Sequence, residues 1–93
     1  MSVYRFIVKG RVQGVFYRKS IQQLASLGQI QGYVKNLPDG SVEVVAALHD
    51  DERSLEDFMQ VLKNGSPASR VDEITVEKLD HDDLLYDGFE IRY

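Results

Sequence analysis

Near the start of the chain, Tyr4, Phe6 and Val8 alternate with Arg5, Ile7 and Lys9, the period of a strand buried on at least one face. The alternation then breaks, and Gly10 to Phe16, with two glycines, reads as a loop. From Tyr17 the period lengthens. Tyr17, Ile21, Leu24 and Ala25 fall at helical spacing, and Gly28 predicts the stop. Ile30, Gly32 and Val34 alternate with Gln31, Tyr33 and Lys35 in a second strand. Asn36-Leu37-Pro38-Asp39-Gly40 is a turn, because proline fixes φ and Asp-Gly tolerates tight geometry. Val42, Val44, Ala46 and Leu48 alternate beyond it, which makes the pair of strands a hairpin. Asp50-Asp51-Glu52 places negative charge where a helix start favours it, and Leu55, Phe58, Met59 and Leu62 mark one face of that second helix. Asn64-Gly65 closes it, and Ser66-Pro67 leads to a fourth strand over Ile74 to Leu79. Phe89, Ile91 and Tyr93 supply a short fifth.

The order βαββαβ with a terminal strand predicts an α+β fold. It is the ferredoxin-like sandwich, with two helices on one face of a mostly antiparallel sheet. Composition sharpens this. Ninety-three residues, 43% of them hydrophobic, suit one domain over 1–93. The chain has no cysteine, so disulfides, thiolate metal sites and a cysteine nucleophile are excluded together. No apolar run approaches the roughly 18 residues of a membrane span, and no membrane partner is expected. The N-terminus enters a strand pattern directly, so a cytoplasmic location is expected. A net charge of −4 is the wrong sign for a protein that holds nucleic acid through its bulk field. The pattern calls for nothing beyond a monomer.

Candidate chemistry concentrates between Gly10 and Arg18. A loop running from a strand's end into a helix's first turn offers unpaired N–H groups, and glycines let such groups converge on an oxyanion. Arg18 and Lys19 stand in that first turn against the preference of the macrodipole, as cations do where an anion is expected between them and the backbone. A planar guanidinium can also grip two phosphate oxygens at once. On these residues alone, a glycine-containing connector with an exposed arginine remains the more ordinary description. Spacing removes other phosphate loops. Three residues separate Gly10 from Gly14 and no Gly-Lys follows, so this is not a Walker A loop. The dinucleotide Gly-x-Gly-x-x-Gly is absent, and Val12 stands where a cysteine phosphatase would carry its thiol.

Two longer motifs give the chain a resemblance to the acylphosphatase family. Gly10-Arg11-Val12-Gln13-Gly14-Val15-Phe16-Tyr17-Arg18 matches G-x-V-Q-G-V-x-[FY]-R. Gly32-Tyr33-Val34-Lys35-Asn36, followed by Asp39-Gly40-Ser41-Val42-Glu43, matches G-[WY]-V-x-N-x-x-D-G-x-V-E. The resemblance implies hydrolysis of acyl phosphates to a carboxylate and inorganic phosphate, without metal or cofactor. It casts Arg18 as the phosphate-binding arginine and Asn36 as the residue that orients the attacking water. Backbone N–H groups of Gln13, Gly14, Val15, Phe16 and Tyr17 would hold the same phosphate. A small acyl phosphate is the expected partner, and inorganic phosphate would compete as product. One departure is visible, because Val44-Val45-Ala46-Ala47-Leu48 replaces a stretch where many members carry a further glycine. A longer or stiffer third-strand end is expected there.

This chemistry suits a chain so poor in catalytic groups. An alkyl phosphate needs its leaving alkoxide helped by an acid or metal. An acyl phosphate departs as a carboxylate whose conjugate acid has a pKa of about 4, so positioning and charge stabilisation suffice. Asn36 is also a natural turn former, and one turn could serve both ends. Phe16 and Tyr17 are expected to be core residues anchoring the loop. Tyr33 and Lys35 share the face opposite Val34, either at the rim of the site or as solvated sheet residues. His49, and His81 within Asp80-His81-Asp82-Asp83, lack metal-ligand spacing, and no metal site is expected. An RNA-recognition motif shares this strand order, but the third strand here carries neither aromatic nor basic residues. The remaining alternative is a module that binds an acyl or carbamoyl phosphate without turning it over.

Overall fold

The computed structural model describes residues 1–79 and 88–93. In chain order the elements are β1 (Ser2–Arg11), α1 (Tyr17–Leu27), β2 (Gln31–Asn36), β3 (Val42–Leu48), α2 (Glu52–Asn64), β4 (Arg70–Leu79) and β5 (Phe89–Arg92). The strands form one sheet in the order β4-β1-β3-β2-β5. Three pairings are antiparallel, and β5 joins β2 in parallel. The alternation seen along the strands is the reason for the layering. Phe6, Val8, Val34, Val42, Val44 and Ala46 point to one face, where they pack with Ile21 and Ala25 of α1 and Phe58 and Leu62 of α2. This is the ferredoxin-like arrangement expected from the element order.

Both helices start and stop for identifiable reasons. Asp51 caps α2 by accepting the Ser54 N–H at 2.7 Å, and Glu52 adds negative charge to the first turn. Helix α1 ends at the expected place, but Gly28 has φ −82° and the left-handed residue is Gln29, at φ 57°. The chain turns there because the Ile30 N–H reaches back to Ala25 O at 2.9 Å.

Two strands exceed the reading from alternation. β1 continues through Gly10 and Arg11, and β4 begins at Arg70 rather than Ile74. A register shift between Lys9 and Gly10 disguises the continuation, since a bulge breaks the period of two. Gly10 sits at φ 137°, and a Cβ there would lie 2.2 Å from Arg70 O, so only glycine lets the two backbones approach. The loop proper is therefore 12–16. The distinctive end of β3 stays paired through Leu48, which faces Ser2, at the end of the sheet away from that loop.

Candidate active site

Sheet register sets the site. Asn36 pairs with Val42, and Val42 with Val8, so the end of β2 lies level with the point where β1 runs out into the loop. That loop is pinned from below. Val12, Val15 and Tyr17 are buried, Ser66 Oγ donates to Val15 O at 2.6 Å, and the Tyr17 hydroxyl donates to Leu62 O at 2.8 Å. Burial pushes the Tyr17 phenol well above its ordinary range, so it remains a neutral donor. Gln13 ties the loop sideways to the turn beyond Asn36, its Nε2 donating to Leu37 O and Ser41 O, each at 2.8 Å. Asp39 holds the same turn by accepting the Ser41 N–H at 2.9 Å.

Between these anchors the backbone curls outward. Gly14 at φ 74° and Phe16 at φ 62° are both left-handed, the geometry that gathers successive N–H groups into a concavity. The first α1 hydrogen bond runs from the Ser20 N–H to Phe16 O at 3.1 Å. No side chain caps this helix and no acidic residue stands in its first turn, so the N–H groups ahead of Ser20 have no intrahelical partner. Arg18 and Lys19 lie in that turn. The Arg18 guanidinium donates to Arg92 O at 3.2 Å and stacks over the Tyr93 ring at 4.8 Å, and no carboxylate among the described residues pairs with it.

Arg18 and Asn36 line one pocket of about 330 Å³, together with Val12, Gly14, Phe16, Tyr17, Lys19, Ile91 and Tyr93. The Asn36 Oδ1 atom is buried without a hydrogen-bond partner among the described residues. A buried amide oxygen left unpaired costs about 1–3 kcal/mol, so the Asn36 side chain keeps this conformation at a cost. The pocket thus brings together a loop with unpaired backbone N–H groups, a guanidinium, an ammonium and the Asn36 side chain, a set that suits an oxyanion.

The expected residues divide unevenly. Arg18, Asn36, Gly14, Phe16 and Tyr17 line the pocket, whereas the Gln13 and Val15 side chains serve as clamp and anchor of the loop. Tyr17 is a core residue as expected. Phe16 is not, being 79% exposed, because its left-handed backbone turns the side chain away from the core. Tyr33 belongs to the open face of the sheet, where its hydroxyl donates to Glu43 Oε1 at 2.7 Å and Arg92 lies over its ring at 4.2 Å. His49 is exposed at the start of the α2 approach, and the Asp80–Asp83 run with His81 lies outside the described residues. Ile91 and Tyr93 enter the pocket without any local signal, since only the parallel pairing of β5 with β2 brings them there.

Comparison with known proteins agrees with the fold. A sequence model of the acylphosphatase family matches residues 4–91. The acylphosphatase of Bacillus subtilis (strain 168) is 46% identical over 76 residues, covering 82% of this chain and 81% of that one. A crystal structure of acylphosphatase from Bacillus subtilis superposes with a TM-score of 0.87 at 41% identity, over 100% of both chains. An acylphosphatase structure from Coxiella burnetii gives 0.83 at 34% identity, over 98% of this chain and 92% of that one. With the family matched along nearly its whole length, the chain belongs to the acylphosphatases.

Proposed function

We propose that the pocket at the start of α1 performs the family's hydrolysis through Arg18 and Asn36 in distinct roles. The loop N–H groups of Gln13 to Tyr17 and the Arg18 guanidinium bind the non-bridging phosphate oxygens, where negative charge is carried through the transition state. The Asn36 side-chain amide hydrogen-bonds a water and holds it in line with the phosphorus. The water's oxygen forms the new P–O bond while the bond to the acyl oxygen breaks, and the acyl group leaves as a carboxylate. The water's proton passes to a phosphate oxygen, so no side-chain base is needed. A carboxylate leaves without an acid, and the chemistry requires no metal. The observation that carries this reading is that Arg18 and Asn36, from separate elements, line one pocket at the start of α1. The reading extends to a single domain acting as a monomer in the cytoplasm.

The test follows loss of an aromatic acyl phosphate in the presence of a chelator. Turnover should persist, and inorganic phosphate should compete. Arg18→Gln should remove both binding and turnover, and Asn36→Ala should lower kcat about a hundredfold while affinity for phosphate holds, by analogy with loss of one positioned polar group. Wild-type rates in either variant would discard the role assigned to that residue.

A further inference from the structure

Phe16 holds a conformation that its own side chain does nothing to secure. Its backbone stands at φ 62° and ψ 22°, a left-handed region unfavourable for a residue with a Cβ, and its ring is 79% exposed. Such a conformation persists only where the surroundings fix it. Here the carbonyls on either side do so. Phe16 O accepts the Ser20 N–H at 3.1 Å, and Val15 O accepts the Ser66 hydroxyl at 2.6 Å. Ser66 is buried beneath the loop and is itself held. Its N–H donates to Ser69 Oγ at 3.0 Å, while its carbonyl accepts the Ser69 hydroxyl at 2.8 Å and the Ser69 N–H at 3.0 Å. Just before it Gly65 turns the chain at φ 51°, where an added Cβ would lie 2.5 Å from Ser69 Oγ and 2.6 Å from the Tyr17 ring. The Ser66 hydroxyl therefore meets Val15 O from a fixed point.

The Val15–Phe16 peptide is trans, so its C=O and N–H point to opposite sides. With Val15 O bound from the core side, the Phe16 N–H is aimed outward, toward the pocket that Gly14, Phe16, Tyr17 and Arg18 line. Among the described residues that N–H has no acceptor. We infer that Ser66 is a positioning residue of the loop, turning the Phe16 N–H into the pocket as a donor to a phosphate oxygen. The inference rests on the proposed phosphate site and adds a residue outside both sequence motifs. Without the hydroxyl, Val15 O loses its buried partner and the peptide is free to rotate, which takes the donor away from the oxyanion. A donor stabilises developing charge best when it is aimed in advance.

Proton–nitrogen correlation NMR, with the protein titrated by inorganic phosphate, reads the donor independently of turnover. In the wild-type protein the Phe16 amide proton should move downfield on saturation, as a donor to an anion does. Ser66→Ala should lose most of that movement and weaken phosphate about tenfold, the scale of one charge-assisted hydrogen bond. Its kcat/KM for an aromatic acyl phosphate should fall by at least as much. Asp51→Ala removes the cap at the other end of α2, so it destabilises without touching the loop and should leave phosphate affinity unchanged. A Phe16 amide that ignores phosphate in the wild-type protein, or wild-type phosphate affinity in Ser66→Ala, overturns the positioning role. An equal loss of affinity in Asp51→Ala overturns it too, because lost stability would then be the cause. Phosphate binding with the expected amide movement but no turnover would sustain Ser66 and reject the hydrolase reading. Absence of phosphate binding in the wild-type protein would reject both.

Discussion

Gln13 donates its side-chain amide to Leu37 O at 2.8 Å, joining two segments that lie 24 positions apart in the chain. The same nitrogen donates to Ser41 O at 2.8 Å. The loop proposed to grip phosphate and the turn that follows Asn36 are thereby tied together, so under the proposed roles Gln13 would set the spacing of phosphate and water. Leu37 O also accepts from the Gly40 N–H, and Ser41 O from the Leu37 N–H, so neither carbonyl is orphaned if Gln13 is lost. Gln13→Ala should then cost about 2 kcal/mol of stability, two ordinary hydrogen bonds. It should lower kcat about tenfold, with little change in competition by inorganic phosphate, because misplacement harms the reacting pair more than the held anion. Denaturant melts and steady-state kinetics read the two effects separately. A variant with wild-type kcat would show that the turn keeps its place unaided.

The elements that alternation or helical spacing describes were legible in the sequence, because one side of each faces a core. The meeting of Arg18 and Asn36 at one pocket was legible for another reason, since each sits in a motif whose spacing can be compared. What escaped was set by contacts distant in the chain. Gly10 and Arg11 pair with β4 only through a bulge that spoils the period. Ile91 and Tyr93 reach the pocket only through parallel pairing. Phe16 was misjudged because residue type favours burial, whereas its positive φ turns the ring outward.

Tyr17 caps a helix other than its own. Its hydroxyl donates to Leu62 O, one of the terminal carbonyls of α2 that has no intrahelical partner. Tyr17→Phe keeps the ring and strands that carbonyl, which should cost about 1–3 kcal/mol. The phenol's raised pKa adds an alkaline signature. Above its ordinary value of 10.0 the unfolded chain gives up this proton while the folded one keeps it, so stability falls as pH rises past that point. Melting temperatures between pH 8 and 11 should show this decline in wild type and a shallower one in Tyr17→Phe. Parallel curves would remove Tyr17 as the source.

Gln29 carries backbone strain in the turn that ends α1, where its N–H donates to Ser26 O at 3.0 Å. Its φ of 57° is left-handed, while Gly28 beside it, at −82°, makes no use of its freedom. Gln29→Gly should stabilise the protein by about 1 kcal/mol. Gly28→Ala should add about 0.4–1 kcal/mol by restricting the unfolded chain, because the new Cβ would meet its nearest neighbour at an ordinary 3.6 Å. Both positions lie at the end of α1 away from the phosphate loop, so kcat should hold. Chemical denaturation of the two single variants decides this, and destabilisation by either would mean the turn needs the original residue.

On the open face of the sheet Glu43 accepts from Arg5 Nε at 2.6 Å and from the Tyr33 hydroxyl at 2.7 Å. Burial opposes its ionisation, but the hydrogen bonds from Tyr33 and Arg5, with the charges of Arg5 and Lys35, hold its carboxyl below the ordinary 4.5. Because the folded pKa is the lower one, the unfolded chain binds the proton first on acidification. The stability from this group is complete above about pH 5 and drains away as pH falls through the folded value. Glu43→Gln should therefore be less stable than wild type at pH 7, and the gap should narrow steadily between pH 5 and 3. Asp39, Asp50 and Asp51 also have depressed values and lose stability over the same range, so the informative quantity is the difference between the two melting curves. A gap that stays constant across that range would mean that the Glu43 carboxylate stabilises by shape and hydrogen bonding alone, with no contribution from its charge.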